Sequence, residues 1–233
     1  MKRNAKRWGH LLRSLLPDGA YALATVFLFA DVYFLGARFF ARDLLHLFYP
    51  TAEVLGAALR GKSSLLWDPS TFHGMPLLAT WTPGVFYPPN WLNALLSAPD
   101  TFAFLIIAHL ILAAAALRRL ALCFTENRWA AWLAGFGYAF GGYMLSMKGN
   151  GFYLFAGALL PWAVLAFVRL MRCPSLSQML QLIPVLVLQF FVGDVQTLYY
   201  QVLLLFPAIF LLDLNRANWR PRLGWAALGG ALA

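Results

Sequence analysis

Charged side chains are scarce in this chain of 233 residues, and that scarcity argues against an ordinary soluble domain. Lys, Arg, Asp and Glu make up 12% of the sequence, whereas a soluble domain averages about 25%. Hydrophobic residues make up 61%, and the mean hydropathy is +0.67. Cysteine is nearly absent as well. Cys123 and Cys173 argue against a disulfide framework, and their spacing matches no metal motif.

The motifs of several enzyme classes are also absent from the sequence. It contains no phosphate-binding glycine loop with lysine, no G-x-S-x-G elbow, no H-E-x-x-H pair and no zinc cysteine set. ATP hydrolysis and serine or zinc hydrolysis are therefore poor interpretations of this chain.

What the sequence does contain is a series of long apolar segments. A bilayer span needs roughly 20 mostly apolar residues, and six segments are candidates: 20–40, interrupted by Asp31, then 101–120, 129–147, 152–170, 179–192 and 198–212. A seventh begins at Leu223 and stops at Ala233, about half the rise that a span needs. The pattern predicts an all-α, polytopic membrane domain over residues 19–233 with six or seven spans. The short last segment indicates the N-terminal part of a longer protein.

The basic residues orient the predicted spans. Cytoplasmic loops collect Lys and Arg, and an N-terminus inside places most of the 18 basic residues on the cytoplasmic side. Residues 1–18 are then a cytoplasmic basic N-terminus, which we interpret as part of a signal anchor. The net charge of +9 follows from this topology, so nucleic-acid binding need not be invoked. Binding of anionic lipid by residues 2–13 explains the basic tail equally well.

The polar segment 41–98 is predicted to be a large outer loop after the first span. In its first part, one helical face is polar and the other apolar, which predicts an amphipathic helix lying flat on the membrane surface and broken or kinked at Pro50. The polar face holds Asp43, His46, Glu53 and Arg60, and the apolar face holds Leu44, Leu47, Phe48, Leu55, Ala58 and Leu59. The polar face either forms a site or simply meets water. Asp43 is the leading candidate because it follows Arg42 where the first span leaves the bilayer.

The second part of this loop, residues 67–91, is too rich in proline and glycine to form a regular helix. Irregular backbone beside a membrane survives when it is buried in protein or lines a wet cavity. Its aromatic residues, Tyr87 among them, either anchor the loop at the headgroups or form the wall of a sugar or lipid pocket.

Further polar residues stand at the outer ends of later spans. Asp194 and Gln196 follow the fifth span, and an acid between two apolar helices is costly unless it faces a cavity or the protein interior. Lys148 and Asn150 end the third span on the same side, where Lys148 either binds a phosphate or snorkels to headgroups.

Four polar residues lie inside the predicted spans: Asp31, His109, Gln181 and Gln189. An acid within the membrane is a functional hypothesis by default, although Asp31 has Arg38 two helical turns on as a simple partner. His109 is either a pigment or haem ligand or, more commonly for a single histidine, a hydrogen-bonded packing residue.

The order of several short motifs resembles the bacterial YfhO-type multispan membrane proteins, within the GT-C class of glycosyltransferases that use lipid-linked sugars. The motifs are Arg42-Asp43 with Phe48-Tyr49-Pro50, Leu66-Trp67-Asp68-Pro69 with Phe72, Gly74 and Pro76, Phe86-Tyr87-Pro88-Pro89, Gly141-Gly142-Tyr143, Leu160-Pro161-Trp162, and Gly193-Asp194-Val195-Gln196 with Tyr199.

This resemblance implies a GT-C-like helical bundle in the bacterial inner membrane, with its active site in the outer loop. The donor would be a polyprenyl-phosphate-linked sugar, and Asp43 would be the catalytic base. The candidate substrate- and phosphate-binding residues are Arg42, His46, His73, Tyr87, Lys148, Asp194 and Gln196. The resemblance assigns no definite cofactor, and a divalent cation near Asp43, His46 or Asp68 stays an open possibility.

Two alternatives remain open at this point. In the first hypothesis, the chain is a non-catalytic helical subunit of a larger membrane complex. In the second, it is a lipid flippase or transporter whose polar path is lined by Asp31, His109, Gln181 and Gln189. The expected partners are membrane lipids and, for the enzyme, a lipid-linked sugar.

Overall fold

A computed structural model of the protein describes residues 17–71, 73–81, 83–211 and 219–231. Within these ranges the regular structure is helical, and the only β-type pairing is an isolated bridge between Asp68 and Met75. The all-α prediction is confirmed for this part of the chain. The basic N-terminus, predicted over 1–18, lies almost wholly outside it, as do Phe72 and Ala233.

Ten α-helices are described, and three short irregular helices join them. The first, α1, covers residues 17–28. The others are α2 (Ala30–Phe34), α3 (Tyr49–Leu59), α4 (Ala98–Ala121), α5 (Arg128–Ala139), α6 (Gly142–Ser146), α7 (Gly151–Arg172), α8 (Leu176–Phe191), α9 (Val195–Leu211) and α10 (Trp219–Ala231). A π-helical turn at Leu44–Phe48 precedes α3, and 3₁₀ turns occupy Pro88–Ala94 and Met147–Gly149.

Two of the described helices, α4 and α7, are long and apolar enough to cross a bilayer. They pack side by side at the centre of the fold, with α5 against α4 and α8 against α7. Small residues allow this close approach. A Cβ added to Gly135 of α5 would lie 2.4 Å from the carbonyl oxygen of Ala114 on α4, and helices in membranes associate through such small-residue contacts.

The predicted third span, 129–147, is not one continuous helix. It divides into α5 and α6 because the chain leaves the helical conformation at Gly141, which has φ −72° and ψ 163°. A Cβ at that position would lie 2.4 Å from the carbonyl oxygen of Gly137. The glycines that permit tight packing therefore also permit the break.

The predicted first span, 20–40, is shorter than expected, since its helical part ends at Phe34. Gly36 adopts φ +70°, and the backbone N–H of Ala37 returns to the carbonyl oxygen of Asp31 at 3.1 Å. A glycine with positive φ is a common helix terminator. Residues 36–40 consequently extend along the end of the bundle instead of continuing α2.

Ion pairs lie at the two ends of this bundle. At one end, Asp18 in the first turn of α1 binds Arg118 at 3.0 Å and Arg119 at 2.6 Å. At the other end, Arg38 binds Asp100 at 2.5 Å. Residues predicted to be cytoplasmic thus meet at one end and residues predicted to be outside meet at the other. The orientation in a membrane stays a prediction.

The outer segment around α3 differs from the predicted surface helix. Leu44, Phe48 and Leu55 are buried against the protein rather than turned toward lipid, and the ring of Phe48 packs on Phe102 and Phe152. The helix predicted to be broken or kinked at Pro50 is not broken there, because the π-helical turn at Leu44–Phe48 continues directly into α3. Proline is tolerated in the first turn of a helix, and Pro50 occupies the first turn of α3.

Two of the four residues on the predicted polar face hold this scaffold together. Glu53 Oε1 accepts a hydrogen bond from the N–H of Ala98 at 2.8 Å, which satisfies an unpaired donor in the first turn of α4. Arg60 Nη1 donates to the carbonyl oxygen of Asn93 at 2.8 Å. Both contacts fix the outer loop to the bundle, so Glu53 and Arg60 stabilise the fold.

Candidate functional site

Asp43 lies at the start of the π-helical turn, with its side chain exposed. Asn150, which immediately precedes α7, donates a hydrogen bond from Nδ2 to Asp43 Oδ2 at 2.8 Å. The two residues are 107 positions apart in the chain. The fold therefore presents one carboxylate to solvent and fixes one of its oxygens with an amide.

The backbone beside Asp43 is unusual. Arg42 adopts φ +59°, a left-handed conformation that costs a non-glycine residue about 1–3 kcal/mol. The chain passes close over Gly149 at this point, since a Cβ on Gly149 would lie 2.8 Å from the carbonyl oxygen of Ala41 and 3.0 Å from Arg42 Cβ. Glycine at 149 thus permits the crossing that brings Arg42 and Asp43 beside Lys148 and Asn150.

A cavity of about 360 Å³ opens next to this crossing. It lies between the outer end of α1–α2 and the turn at 145–149, and Ala41, Leu44 and Gly149 are in its wall. Three charged side chains also line it: Asp31, Arg38 and Lys148. We call it the outer cavity.

Lys148 is held in this cavity by aromatic rings. Its Nζ lies 5.1 Å from the ring centroid of Phe29 and 5.7 Å from that of Phe39, within the range of cation–π attraction. Burial lowers the pKa of Lys148, and the carboxylate of Asp31 opposes that shift. The cation is partly stripped of water, which strengthens its attraction for an anion.

Phe39 is itself positioned by Tyr49, whose hydroxyl donates to the Phe39 carbonyl oxygen. Burial raises the pKa of Tyr49 to about 12, with Arg38 opposing and Asp100 reinforcing the shift. The hydroxyl therefore remains a donor at neutral pH. This contact links α3 to the extended segment that follows α2.

Arg38 does not pair with Asp31, the partner suggested by the sequence. Arg38 Nη2 pairs with Asp100 at 2.5 Å, whereas Asp31 Oδ1 accepts a hydrogen bond from the N–H of Val32 at 2.9 Å. The end of α2 at Phe34 carries Arg38 away from Asp31. Asp31 is left exposed on the rim of the outer cavity.

The two predicted histidines are both exposed, but they stand in different places. His46 follows Asp43 by three residues in the same π-helical turn. His73 adopts φ +64° in the tight turn closed by the bridge between Asp68 and Met75. No described contact joins His73 to Asp43, so the structure supplies no geometric support for His73 at the same site.

Asp194 has a structural partner that the sequence interpretation did not assign. Its side chain is 2% exposed, and Oδ1 accepts a hydrogen bond from the N–H of Thr197 at 3.1 Å while Oδ2 accepts from the Thr197 hydroxyl. This is the pattern of a helix N-cap. The carboxylate is engaged in starting α9, so of the two settings expected for this acid, a cavity or the protein interior, the structure shows the interior. Gln196 is exposed and donates to the hydroxyl of Tyr200 at 3.1 Å.

Tyr87 is likewise turned inward. It is 2% exposed, its hydroxyl lies 2.6 Å from Nε2 of His109, and burial raises its pKa. His109 Nδ1 lies 2.7 Å from the carbonyl oxygen of Leu105, so both ring nitrogens are engaged. This pair agrees with His109 as a hydrogen-bonded packing residue, and it removes Tyr87 from contact with an outer ligand.

The structure gives little support for a divalent cation. No three His, Cys, Asp or Glu side chains among the described residues are grouped as metal ligands. Asp68 is buried, and Oδ1 accepts hydrogen bonds from the N–H and hydroxyl of Ser70 at 2.8 and 2.6 Å. Burial would raise the pKa of Asp68, but hydrogen bonds from Ser70 and Thr71 outweigh it, so the pKa is lowered. Its role is to close the loop at 68–75.

Sequence reasoning missed the residues that surround Asp43 and Lys148. Asn150 was noted only as the end of a span, and the rings of Phe29 and Phe39 gave no signal at all, because such contacts depend on where α2 ends. Comparison of the chain with known protein families, curated proteins and solved structures finds no match.

Proposed function

We propose that this chain is a polytopic membrane glycosyltransferase that uses a polyprenyl-phosphate-linked sugar on the outer face of the bacterial inner membrane. It would belong to a GT-C-like fold of six or seven spans with its N-terminus in the cytoplasm. One observation carries the proposal: an exposed Asp43, fixed through one oxygen by Asn150, adjoins a cavity that holds the half-buried Lys148.

The chemistry assigns different tasks to these side chains. Inverting glycosyl transfer needs a carboxylate that takes the acceptor proton as the new C–O bond forms. Asp43 has the exposure that an incoming hydroxyl requires. Because Asn150 binds Oδ2, Oδ1 is the oxygen that would accept the proton.

The departing phosphate needs a cation. Lys148 is the better supported candidate because its ammonium is already desolvated by Phe29 and Phe39, and a preorganised cation in a partly dry site stabilises developing negative charge. Arg42 lies in the adjoining backbone crossing and is exposed, so it is the second candidate.

The rim of the outer cavity suits a substrate with a lipid tail. Leu28 is 45% exposed and Phe40 is 74% exposed, and both line the cavity. An isoprenoid chain running along α1 would therefore enter the cavity from the apolar side of the bundle. A soluble nucleotide sugar would have no use for this apolar rim.

The transporter alternative receives less support from the geometry. It requires a polar path, yet His109 is paired with Tyr87, and Gln189 Nε2 donates to Gln201 Oε1 at 2.8 Å. Among the described residues, two of the four predicted path residues thus pair with neighbours inside the fold. No contact within the described part of the chain specifically favours the non-catalytic subunit.

The experiment is sugar transfer in proteoliposomes from a labelled polyprenyl-phosphate sugar to an added hydroxyl acceptor. Asp43→Asn should lower the rate by about 100-fold or more, the contribution usual for a general base, because the amide cannot take the proton. Membrane insertion, measured by protease protection, should be unchanged. The matched control is Glu126→Gln, an acid-to-amide exchange at an exposed residue in the α4–α5 connection. Full activity of Asp43→Asn would contradict the proposal.

A further inference from the structure

The outer cavity contains charges of both signs, and their arrangement indicates more than an anion site. Lys148 lies over Phe29 and Phe39 on one side, and Asp31 lies exposed on the rim. Arg38, the third charged residue in the wall, is already paired with Asp100. The other two, Lys148 and Asp31, interact electrostatically with each other, so a ligand in the cavity meets one cation and one anion, with no net charge.

An anion alone would pair with only one of these two charges. A phosphate bound at Lys148 would be repelled by the carboxylate of Asp31, because both lie in the wall of the same cavity of about 360 Å³. A ligand with a phosphate and an ammonium group in the same headgroup would instead pair with both side chains. Each contact would be a charge-assisted hydrogen bond, and these are stronger than neutral ones.

The surroundings of the cavity indicate that such a ligand is a lipid. Apolar side chains line the cavity between the charges, and Leu28 and Phe40 are exposed at its rim. Two further apolar side chains on α1 are exposed, Phe27 at 88% and Leu23 at 71%. The volume suits a headgroup, since small-ligand pockets usually start at about 300 Å³.

We propose that the outer cavity binds a zwitterionic lipid headgroup, with the phosphate at Lys148 and a primary ammonium at Asp31. An ethanolamine phospholipid has this chemistry, and so does a lipid phosphate that carries an unacetylated amino sugar. The binding does not depend on whether the chain transfers sugar.

The test is lipid retention by the full-length chain, purified in detergent and titrated with single lipids in native mass spectrometry. The probes are dioleoyl phosphatidylethanolamine, its N-acetylated form and dioleoyl phosphatidylglycerol. Phosphatidylethanolamine should bind about tenfold more tightly than the other two, the ratio expected for one charge-assisted hydrogen bond at a partly exposed site. Equal retention of the three lipids by the wild-type chain would overturn the proposal. This comparison changes only the lipid, so it does not depend on the folding of any variant.

Asp31→Asn then tests the residue. The variant should bind phosphatidylethanolamine and phosphatidylglycerol equally, while Glu126→Gln should keep the wild-type preference. A preference that survives Asp31→Asn would overturn the assignment of the ammonium to Asp31.

A competition experiment separates the two sources of the headgroup. Displacement of bound phosphatidylethanolamine by a polyprenyl-phosphate amino sugar, but not by its N-acetylated form, would identify the sugar donor as the zwitterion. Retention of phosphatidylethanolamine against both donors would identify the phospholipid. A chain that shows the lipid preference but transfers no sugar would refute the proposed function and leave this inference standing.

Discussion

Asp43 and Asp194 are aspartates on the same predicted side of the membrane, yet the fold uses them in opposite ways. Asp43 is exposed and receives one hydrogen bond from a residue 107 positions away. Asp194 is buried and receives two hydrogen bonds from Thr197, three positions away. The contact with Asn150 leaves one carboxylate oxygen of Asp43 available to a ligand. The contacts with Thr197 engage both carboxylate oxygens of Asp194 at the start of α9.

The same contrast separates the other polar residues of the outer end. Tyr87 and Asp68 are engaged inside the protein, while Lys148 and Asp31 line an open cavity. A polar residue in an apolar sequence is thus a poor indicator of function until its partners are known. Substitution of a residue bonded inside the protein should therefore lower stability, and substitution of a residue at the exposed site should lower activity.

The largest effect on stability is expected for Tyr87→Phe. This change leaves His109 Nε2 buried without its partner, and an unsatisfied buried polar group costs about 1–3 kcal/mol. The free energy of unfolding in mixed micelles should fall by that amount, while sugar transfer per folded molecule is unchanged. Tyr199→Phe is the control, since Tyr199 is exposed and should show almost no change.

Asn150→Ala should affect the rate rather than the stability. Its contact with Asp43 lies at the exposed surface, so unfolding should change little. Transfer should slow by about tenfold because one hydrogen bond to a charged group no longer positions the base. An amide restored by Asn150→Gln should recover part of the rate, and a shift in the acidic limb of the pH–rate profile would separate positioning from a packing defect. An unchanged rate would remove Asn150 from the site.

Asp194→Ala should cost about 1 kcal/mol of stability, the usual cost of losing an N-cap. Asp194→Asn should cost much less, because asparagine caps helices about as well as aspartate. Unfolding of the two variants under identical conditions measures the difference. Equal loss in both would mean that the negative charge matters at this position, and the helix-cap assignment would fail.

The smallest effect is expected for Arg38→Gln. The ion pair with Asp100 is about 43% exposed on each side chain, and exposed ion pairs contribute about 0–1 kcal/mol. The unfolding free energy should decrease within that range, and the decrease should diminish at high salt because exposed charges are screened. A loss well above this range would show that Arg38 also holds the outer cavity open.

The central helices were predictable because their signal is long and local. The segments 101–120 and 152–170 correspond to Ala98–Ala121 and Gly151–Arg172, since an apolar run of that length leaves few alternatives. The breaks near Gly36 and Gly141 were not predicted, because a glycine inside an apolar run is also compatible with close helix packing. Whether a glycine ends a helix depends on its neighbours in space.

The site was only partly predictable for the same reason. Asp43 stood out because an acid follows an apolar segment, but its partner Asn150 comes from a contact that no local pattern encodes. The helix-capping role of Asp194 could have been predicted from the sequence. An aspartate directly before an apolar helical run is an N-cap pattern, and the rarity of acids in the chain drew attention away from it.

The most direct test of the account is sugar transfer by Asp43→Asn and Asp194→Asn measured side by side in the same proteoliposomes, per folded molecule. The account predicts that Asp43→Asn loses about 100-fold or more of the rate, while Asp194→Asn retains most of it. Comparable rates for the two variants, or a larger loss for Asp194→Asn, would contradict it.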